Sequence, residues 1–299
     1  MTQQESAPIK QLACAEIMGG NHDVATAIWL PGLSGFLYSK PCGGAKGGDV
    51  HYVTSCFHGV ISRVCLADVA GHGEQVSRIS AWLHDLLRNK FHHHNPAHTF
   101  ESLNRRMAKR GFDTVATAFC LSYDSAGGGL AVCNAGHPAG LMWASETGGW
   151  SYLNQREEPS DDGAVHNLIL GVMESARYGL LKRRLKGGER FLIYSDGVIE
   201  TPAPDGTLFG EDNLMAVLNA HTGASDEALV EEVLAALARH SGSEELAHDD
   251  VTLIALTAEP LPQENYAANV AKKMWARWRD LLTSPALQRT GERDAGDIS

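Results

Sequence analysis

Two periods of hydrophobic and polar positions divide this chain into blocks. Residues 51–67, HYVTSCFHGVISRVCLA, alternate around His58-Gly59, and a period of two predicts a β-hairpin. From Glu74 the spacing lengthens, and Val76, Ile79, Leu83, Leu86 and Leu87 line one face of a helix. A second helix is expected from near Thr99, with Phe100, Leu103 and Met107 inward and a stop at Gly111. TVATAFCLSYD returns to period two, DSAGGG makes a turn, and LAVCNAGHPAGLMW supplies two strand segments broken at residues 134–138. Residues 144–167 are polar and irregular and read as loops. GERFLIYSDG is a strand that ends at Asp196-Gly197, and VTLIALTA is the last clear strand. Between them, residues 225–240 form a helix capped by Ser225, with Leu229, Val230, Val233, Leu234 and Leu237 inward. Residues 266–282 read as an amphipathic helix followed by a loose tail.

Short strands, then helices, then strands again argue for an α+β fold rather than a parallel βαβ sheet. Three segments are expected: an extension over 1–20, one large domain over 21–260, and the C-terminal helix with its flexible tail over 261–299. A hydrophobic content of 43% is ample for that core, and 25 basic against 36 acidic residues leave a net charge of −11. That sign argues against a nucleic-acid binder. No apolar run approaches the roughly 20 residues of a membrane helix, and the N-terminal MTQQESAPIK lacks a secretory layout. No membrane partner and a cytoplasmic location follow as expectations, with the six cysteines, none in a CxxC pair, as reduced thiols.

The chemistry gathers where acids interrupt apolar strands. Asp49 follows two glycines, Asp68 ends VCLAD, Asp196 ends FLIYSD, and Asp249 and Asp250 precede VTLIAL. An acid at the rim of a buried strand is costly unless paired or bound to a cation, and no Lys or Arg recurs at matching spacing. Oxygen donors with little sulfur or imidazole select hard cations, Mg2+ or Mn2+, so the set points to a two-ion site. His72 lies between Gly71 and Gly73, a pairing that disfavours helix and suits a tight turn aiming the imidazole into a site.

GGDV (47–50), ADVAGHGE (67–74), NAGHPAGL (134–141), LGV (170–172), FLIYSDGVIET (191–201), FGEDNL (209–214) and DDVTLIAL (249–256) occur in this order. Together they resemble the bacterial stage-II-sporulation, sigma-regulator branch of the metal-dependent protein phosphatases, with the protein phosphatase 2C-like fold, over roughly residues 30–258. The resemblance implies two antiparallel sheets flanked by helices in α-β-β-α layers, and two Mn2+ or Mg2+ ions with an optional third. It implies metal-binding roles for Asp49, Asp68, Asp196 and Asp249, for the Val69 carbonyl, and, ranked lower, for Asp250. His72 matches the general acid, so the catalytic set is His72, Asp68 and Asp196, with a water activated by the two ions attacking phosphorus. Two features depart from the pattern: Tyr52 stands where a second acid is usual, and Lys46, not an arginine, is the nearest base before Asp49.

The implied activity is a protein serine/threonine phosphatase acting on a phosphorylated regulatory protein such as an anti-sigma-factor antagonist. A regulator, or a second copy of the chain, is expected at the C-terminal helix. A catalytically silent module of the same fold, and a metal-dependent phosphatase of small phosphorylated metabolites, fit the same residues.

Overall fold

The computed structural model describes residues 14–42, 44–56, 60–71, 73–90, 95–111, 114–153, 167–246 and 248–260, together with 268, 270–272 and 275. In chain order the strands are β1 (Cys14–Gly20), β2 (Val24–Leu30), β3 (Leu33–Lys40), β4 (Asp49–Cys56), β5 (Ile61–Val69), β6 (Ala116–Asp124), β7 (Gly129–Ala135), β8 (Leu141–Ala144), β9 (Gly149–Tyr152), β10 (Leu181–Arg184), β11 (Arg190–Tyr194) and β12 (Val251–Ala258). The helices are α1 (Glu74–Lys90), α2 (Pro96–Ala108), α3 (Asp196–Ile199), α4 (Gly210–Ala220) and α5 (Asp226–Ser241).

Two antiparallel sheets result, ordered β1-β4-β5-β6-β7-β10 and β2-β3-β12-β11-β8-β9. One apolar layer, including Val53, Val64, Leu66, Phe119, Ile193 and Ile254, lies between them. A second packs α1 and α2 on the first sheet through Val76, Leu83, Phe100 and Met107. A third packs α4 and α5 on the other sheet through Leu214, Leu218, Val230 and Val233. This is the expected α-β-β-α arrangement. Each fully buried Val, Leu or Phe contributes about 1.5–3 kcal/mol relative to exposure, so three such layers fix the strand ends firmly.

The hairpin of β4 and β5, helix α1 and helix α5 stand where the periodicity puts them, and Ser225 Oγ accepts the Ala228 N–H at 3.2 Å as the α5 cap. The hairpin's tip, residues 57–59, lies outside the described residues. α2 begins earlier than expected, because Asn95 accepts the Ala97 N–H at 2.9 Å and Pro96 takes the first helical position. Strand β9 falls in a stretch expected to be loop, and residues 154–166 of that stretch lie outside the described residues. β1, in the segment expected as an extension, is an edge strand of the first sheet paired to β4. Cys42, Cys65, Cys120 and Cys133 are reduced, but Cys56 is disulfide-bonded, against the expectation of reduced thiols throughout; β1 lays Cys14 opposite it in register. Among the described residues no helix is long and apolar enough to cross a membrane. Of the C-terminal segment only 268, 270–272 and 275 are described, all helical, and the rest of the expected helix and tail lies outside.

Candidate metal centre

Strand parity aims the acids. On β5, Val64 and Leu66 face the second sheet, and a further step of two carries Asp68 to the same face at the strand's end. On β4 the step from Val53 through His51 leads to Asp49 on that face. Register sets Asp49 directly opposite Asp68. Two like charges facing each other across a strand pair are destabilising, so this pairing calls for a cation.

The electrostatics agree. Asp49 is 3% exposed and its Oδ2 has no hydrogen-bond partner among the described residues. Burial, then Asp68, hold its carboxyl well above the ordinary range, while the Thr252 and Ser195 hydroxyls pull it back. Burial, followed by Asp196, Asp249, Asp250 and Glu200, pushes the Asp68 carboxyl up to about 7. Asp196 opens α3 just past β11 and is raised by burial, then by Asp249 and Glu200, against the lowering effect of backbone N–H groups at its own turn. Gly197 follows it because a Cβ there would lie 2.1 Å from the Asp250 carbonyl oxygen, which leaves no room for a side chain. Asp249 is exposed at the pocket, and its Oδ1 accepts the Asp250 N–H at 2.8 Å.

The Val69 carbonyl and Asp68 Oδ1 approach the same side of Gly48, each 3.1 Å from where a Cβ would stand. Thus Asp49, Asp68, Asp196, Asp249 and the Val69 carbonyl converge on one end of the sandwich. Asp250 is 7% exposed and turned inward, with its oxygens on backbone N–H groups of Cys42, Gly48 and Asp49. His72 lies outside the described residues; Gly71 and Gly73 on either side have φ of +110° and +85°, the turn conformation expected of them. Tyr52 does not reach the acids: it is buried beneath α1, its ring edge-on to His84 with centroids 5.7 Å apart. A pocket of about 490 Å³ opens over the acids, walled by Lys46, Ser77, Asp68, His248 and Asp249.

Sequence reasoning missed four neighbours. Glu200 adds a fifth carboxylate near Asp68 and Asp196, and its spacing of four from Asp196 was a readable signal. His248 bonds the Gly197 carbonyl at 2.8 Å through Nε2. Ser195 and Thr252 interlock, the Thr252 N–H donating to Ser195 Oγ at 2.9 Å, and only tertiary pairing reveals them. His137 is a core histidine, as its motif suggests: Nδ1 meets Thr117 Oγ1 at 2.7 Å, and burial lowers its pKa to about 3, keeping it neutral.

The donor set fits a hard divalent cation. It is all oxygen, it holds a buried carboxylate oxygen without a partner among the described residues, and burial with neighbouring acids raises the pKa of Asp49, Asp68 and Asp196. Among the described residues no three Asp, Glu, His or Cys side chains close around a single point.

Known proteins resemble this chain in sequence and in fold. "Phosphoserine phosphatase RsbU" of Bacillus subtilis (strain 168) is 25% identical over 199 residues, covering 64% of this chain and 54% of that protein. The chain thus spans about half the length of that relative. Among solved structures, the SiaA-PP2C domain of Pseudomonas aeruginosa superposes with a TM-score of 0.62 at 19% identity, over 75% of this chain and 84% of that one. RsbX in complex with magnesium superposes with a TM-score of 0.56 at 19% identity, over 79% of this chain and all (100%) of that one. A sequence profile described as "Stage II sporulation protein E (SpoIIE)" matches residues 62–259, from β5 through β12, and so takes in most of the acids gathered above. The chain belongs to the SpoIIE family.

Proposed function

We propose that this chain is a metal-dependent protein serine/threonine phosphatase that hydrolyses a phosphoserine or phosphothreonine on a regulatory protein, such as an anti-sigma-factor antagonist. The observation that carries the reading is the facing pair Asp49 and Asp68, with Asp196 and Asp249 beside it and, among the described residues, no ion pair to any of them. Family membership and the likeness to a phosphoserine phosphatase support it. The setting it implies is the cytoplasm, with the C-terminal helix as the surface for a regulator or a second copy.

Asp49, Asp68, Asp196 and Asp249 would hold two Mn2+ or Mg2+ ions, with the Val69 carbonyl as a further donor. When bound, such ions offset charge on the phosphoryl oxygens and activate water as the nucleophile. The chain's part is to place and protect. The Ser195 and Thr252 hydroxyls beside Asp49 pull its carboxyl back down, which favours its ionised, ligating form. The inter-sheet core beneath Asp49 keeps bulk water from the inner side of the site. His72 would give a proton to the departing serine or threonine oxygen. With a net charge of −11, affinity for an acidic phosphopeptide depends on the ions rather than on a basic groove.

The test is release of phosphate from a small aryl phosphate and from a phosphoserine protein, with and without Mn2+. Metal-dependent release from both is expected. Full activity in EDTA would sink the two-ion reading, and release from sugar phosphates but not from the phosphoprotein would move the substrate to small metabolites.

A further inference from the structure

The Gly47-Gly48-Asp49 turn has the composition of a phosphate cradle, in which successive backbone N–H groups point at an anion. Here an anion already fills it. Asp250 Oδ1 accepts the Cys42 N–H at 2.6 Å, and Oδ2 accepts the N–H groups of Gly48 and, at 3.1 Å, Asp49. We infer that Asp250 is a positioning residue and not a metal ligand: its carboxylate is the built-in anion of this turn and locks the arm that carries Asp49 to the segment that leads from Asp249 into β12. The inference rests on the two-ion reading above.

Parity separates the two adjacent acids. On β12, Ile254 and Leu256 face the first sheet, so Thr252 and Asp250 face it too. Asp249 points the other way, toward the pocket. The fit around Asp250 is tight: a Cβ on Gly47 would stand 2.0 Å from its Oδ2 and 2.5 Å from its Cγ, so only glycine leaves room for the carboxylate. The turn is held from outside as well. Asn21 Nδ2 donates to the Gly47 carbonyl at 3.0 Å, Gly47 N–H donates to the Asn21 carbonyl at 2.9 Å, and Ser80 Oγ donates to the Gly48 carbonyl at 3.1 Å. With its N–H groups taken, the turn does not cradle the phosphate of a substrate, and that group is left to the ions.

Two measurements test this on the full chain. Mn2+ affinity by calorimetry is compared across Asp250→Asn, Asp250→Ala, Gly47→Ala and Asp249→Asn. Backbone hydrogen exchange over residues 42–49 is followed in the metal-free protein. Asp250→Asn keeps an acceptor oxygen and should hold Mn2+ within about 10-fold of the parent, at unchanged stoichiometry. Asp250→Ala and Gly47→Ala should bind about 10–100-fold more weakly, the range for groups that orient ligands, with faster exchange at Gly48 and Asp49. Asp249→Asn should lose Mn2+ binding without any change in that exchange.

If Asp250→Asn loses Mn2+ as completely as Asp249→Asn, with exchange unaltered, Asp250 is a ligand and the inference is overturned. It also falls if Asp250→Ala lowers the melting temperature but leaves Mn2+ affinity intact. Should Asp250→Ala fail to fold, the Asn and Gly47→Ala variants carry the same comparison. A parent protein that binds no Mn2+ ends the two-ion reading, whereas exchange over 42–49 still decides whether Asp250 holds the turn.

Discussion

Strand β11 joins two ends of the molecule that treat buried acids in opposite ways. At its start, Arg190 donates to Asp226 Oδ1 through Nη2 at 2.8 Å and Nε at 3.2 Å, while Thr257 Oγ1 donates to both Asp226 oxygens at 3.0 and 2.8 Å. The remaining guanidinium nitrogen, Nη1, donates to the Thr222 carbonyl at 3.0 Å. Both side chains are only about a tenth exposed, at 9% and 10%, and the charge is matched within the chain. Two residues beyond the strand's other end, Asp196 joins Asp68 and Asp249, and no Lys or Arg among the described residues pairs with any of them. Asp250 shows a third solution, an acid satisfied by backbone N–H groups alone. A fold that supplies a guanidinium at one end and a turn at another has left the rest short of positive charge, which is what a site awaiting cations from solution requires.

The sharpest way to break this contrast is to remove one charge at each end, an acid at the open site and the base at the paired one. Asp68→Asn should lower Mn2+-dependent hydrolysis by on the order of 10³-fold, the scale of losing a main charge-stabilising element, and leave the metal-free fold as stable as the parent or more so. Arg190→Ala should do the reverse. It strands Asp226 in the core and should cost about 3–5 kcal/mol in urea denaturation, with turnover of the folded protein unchanged. Equal activity losses in both variants would erase the distinction.

His72→Ala probes the reaction rather than the charge balance. Turnover of a phosphoserine protein should fall about 10²-fold, as for loss of a general acid, while circular dichroism stays that of the parent. An aryl phosphate, whose leaving group needs little proton assistance, should lose much less. Similar losses on both substrates would assign His72 to shaping the loop.

The smallest effect is a pH slope. Asp68 titrates near 7 in the fold against about 3.9 in an unfolded chain. Its contribution to stability is therefore present in full below about pH 4 and is lost as pH rises through about 7. Asp49 and Asp196, also raised, act in the same direction. Without metal, the melting temperature should drop by a few degrees between about pH 4 and 7 and change little above that. Mn2+ should restore more at the upper pH, because ligands must be deprotonated to bind it. Asp68→Asn should flatten the slope, and a slope unchanged in that variant would place the titration elsewhere.

How much of this was legible in the sequence follows from how each element is stabilised. The β4–β5 hairpin, α1 and α5 advertise themselves because one face is apolar and the other wet. β10, LKRR, has no such signature: three of its four residues are exposed, and backbone pairing to β7 holds it at the sheet's edge. The acids were visible as interruptions of apolar runs, and their convergence followed from an ordered set of motifs. The opposite directions of Asp249 and Asp250 were not visible. β12 is buried on both faces, so its hydrophobic pattern does not say which face is which. Ser195 and Thr252 belong to the site only through strand pairing and the turn into α3, which no local period encodes, whereas Glu200 stands four residues past Asp196, a spacing open to reading.

The contact between Gly47 and Asp250 has a consequence for the family's history. Two positions some two hundred residues apart share one small volume, and the glycine is required only while the acid is there. Relatives with a shorter residue at the position of Asp250 are then free to accept a side chain at the position of Gly47, and those that keep the acid are not. The two columns should change together across the family, so that a glycine which looks like the mark of a flexible loop records the shape of a distant carboxylate.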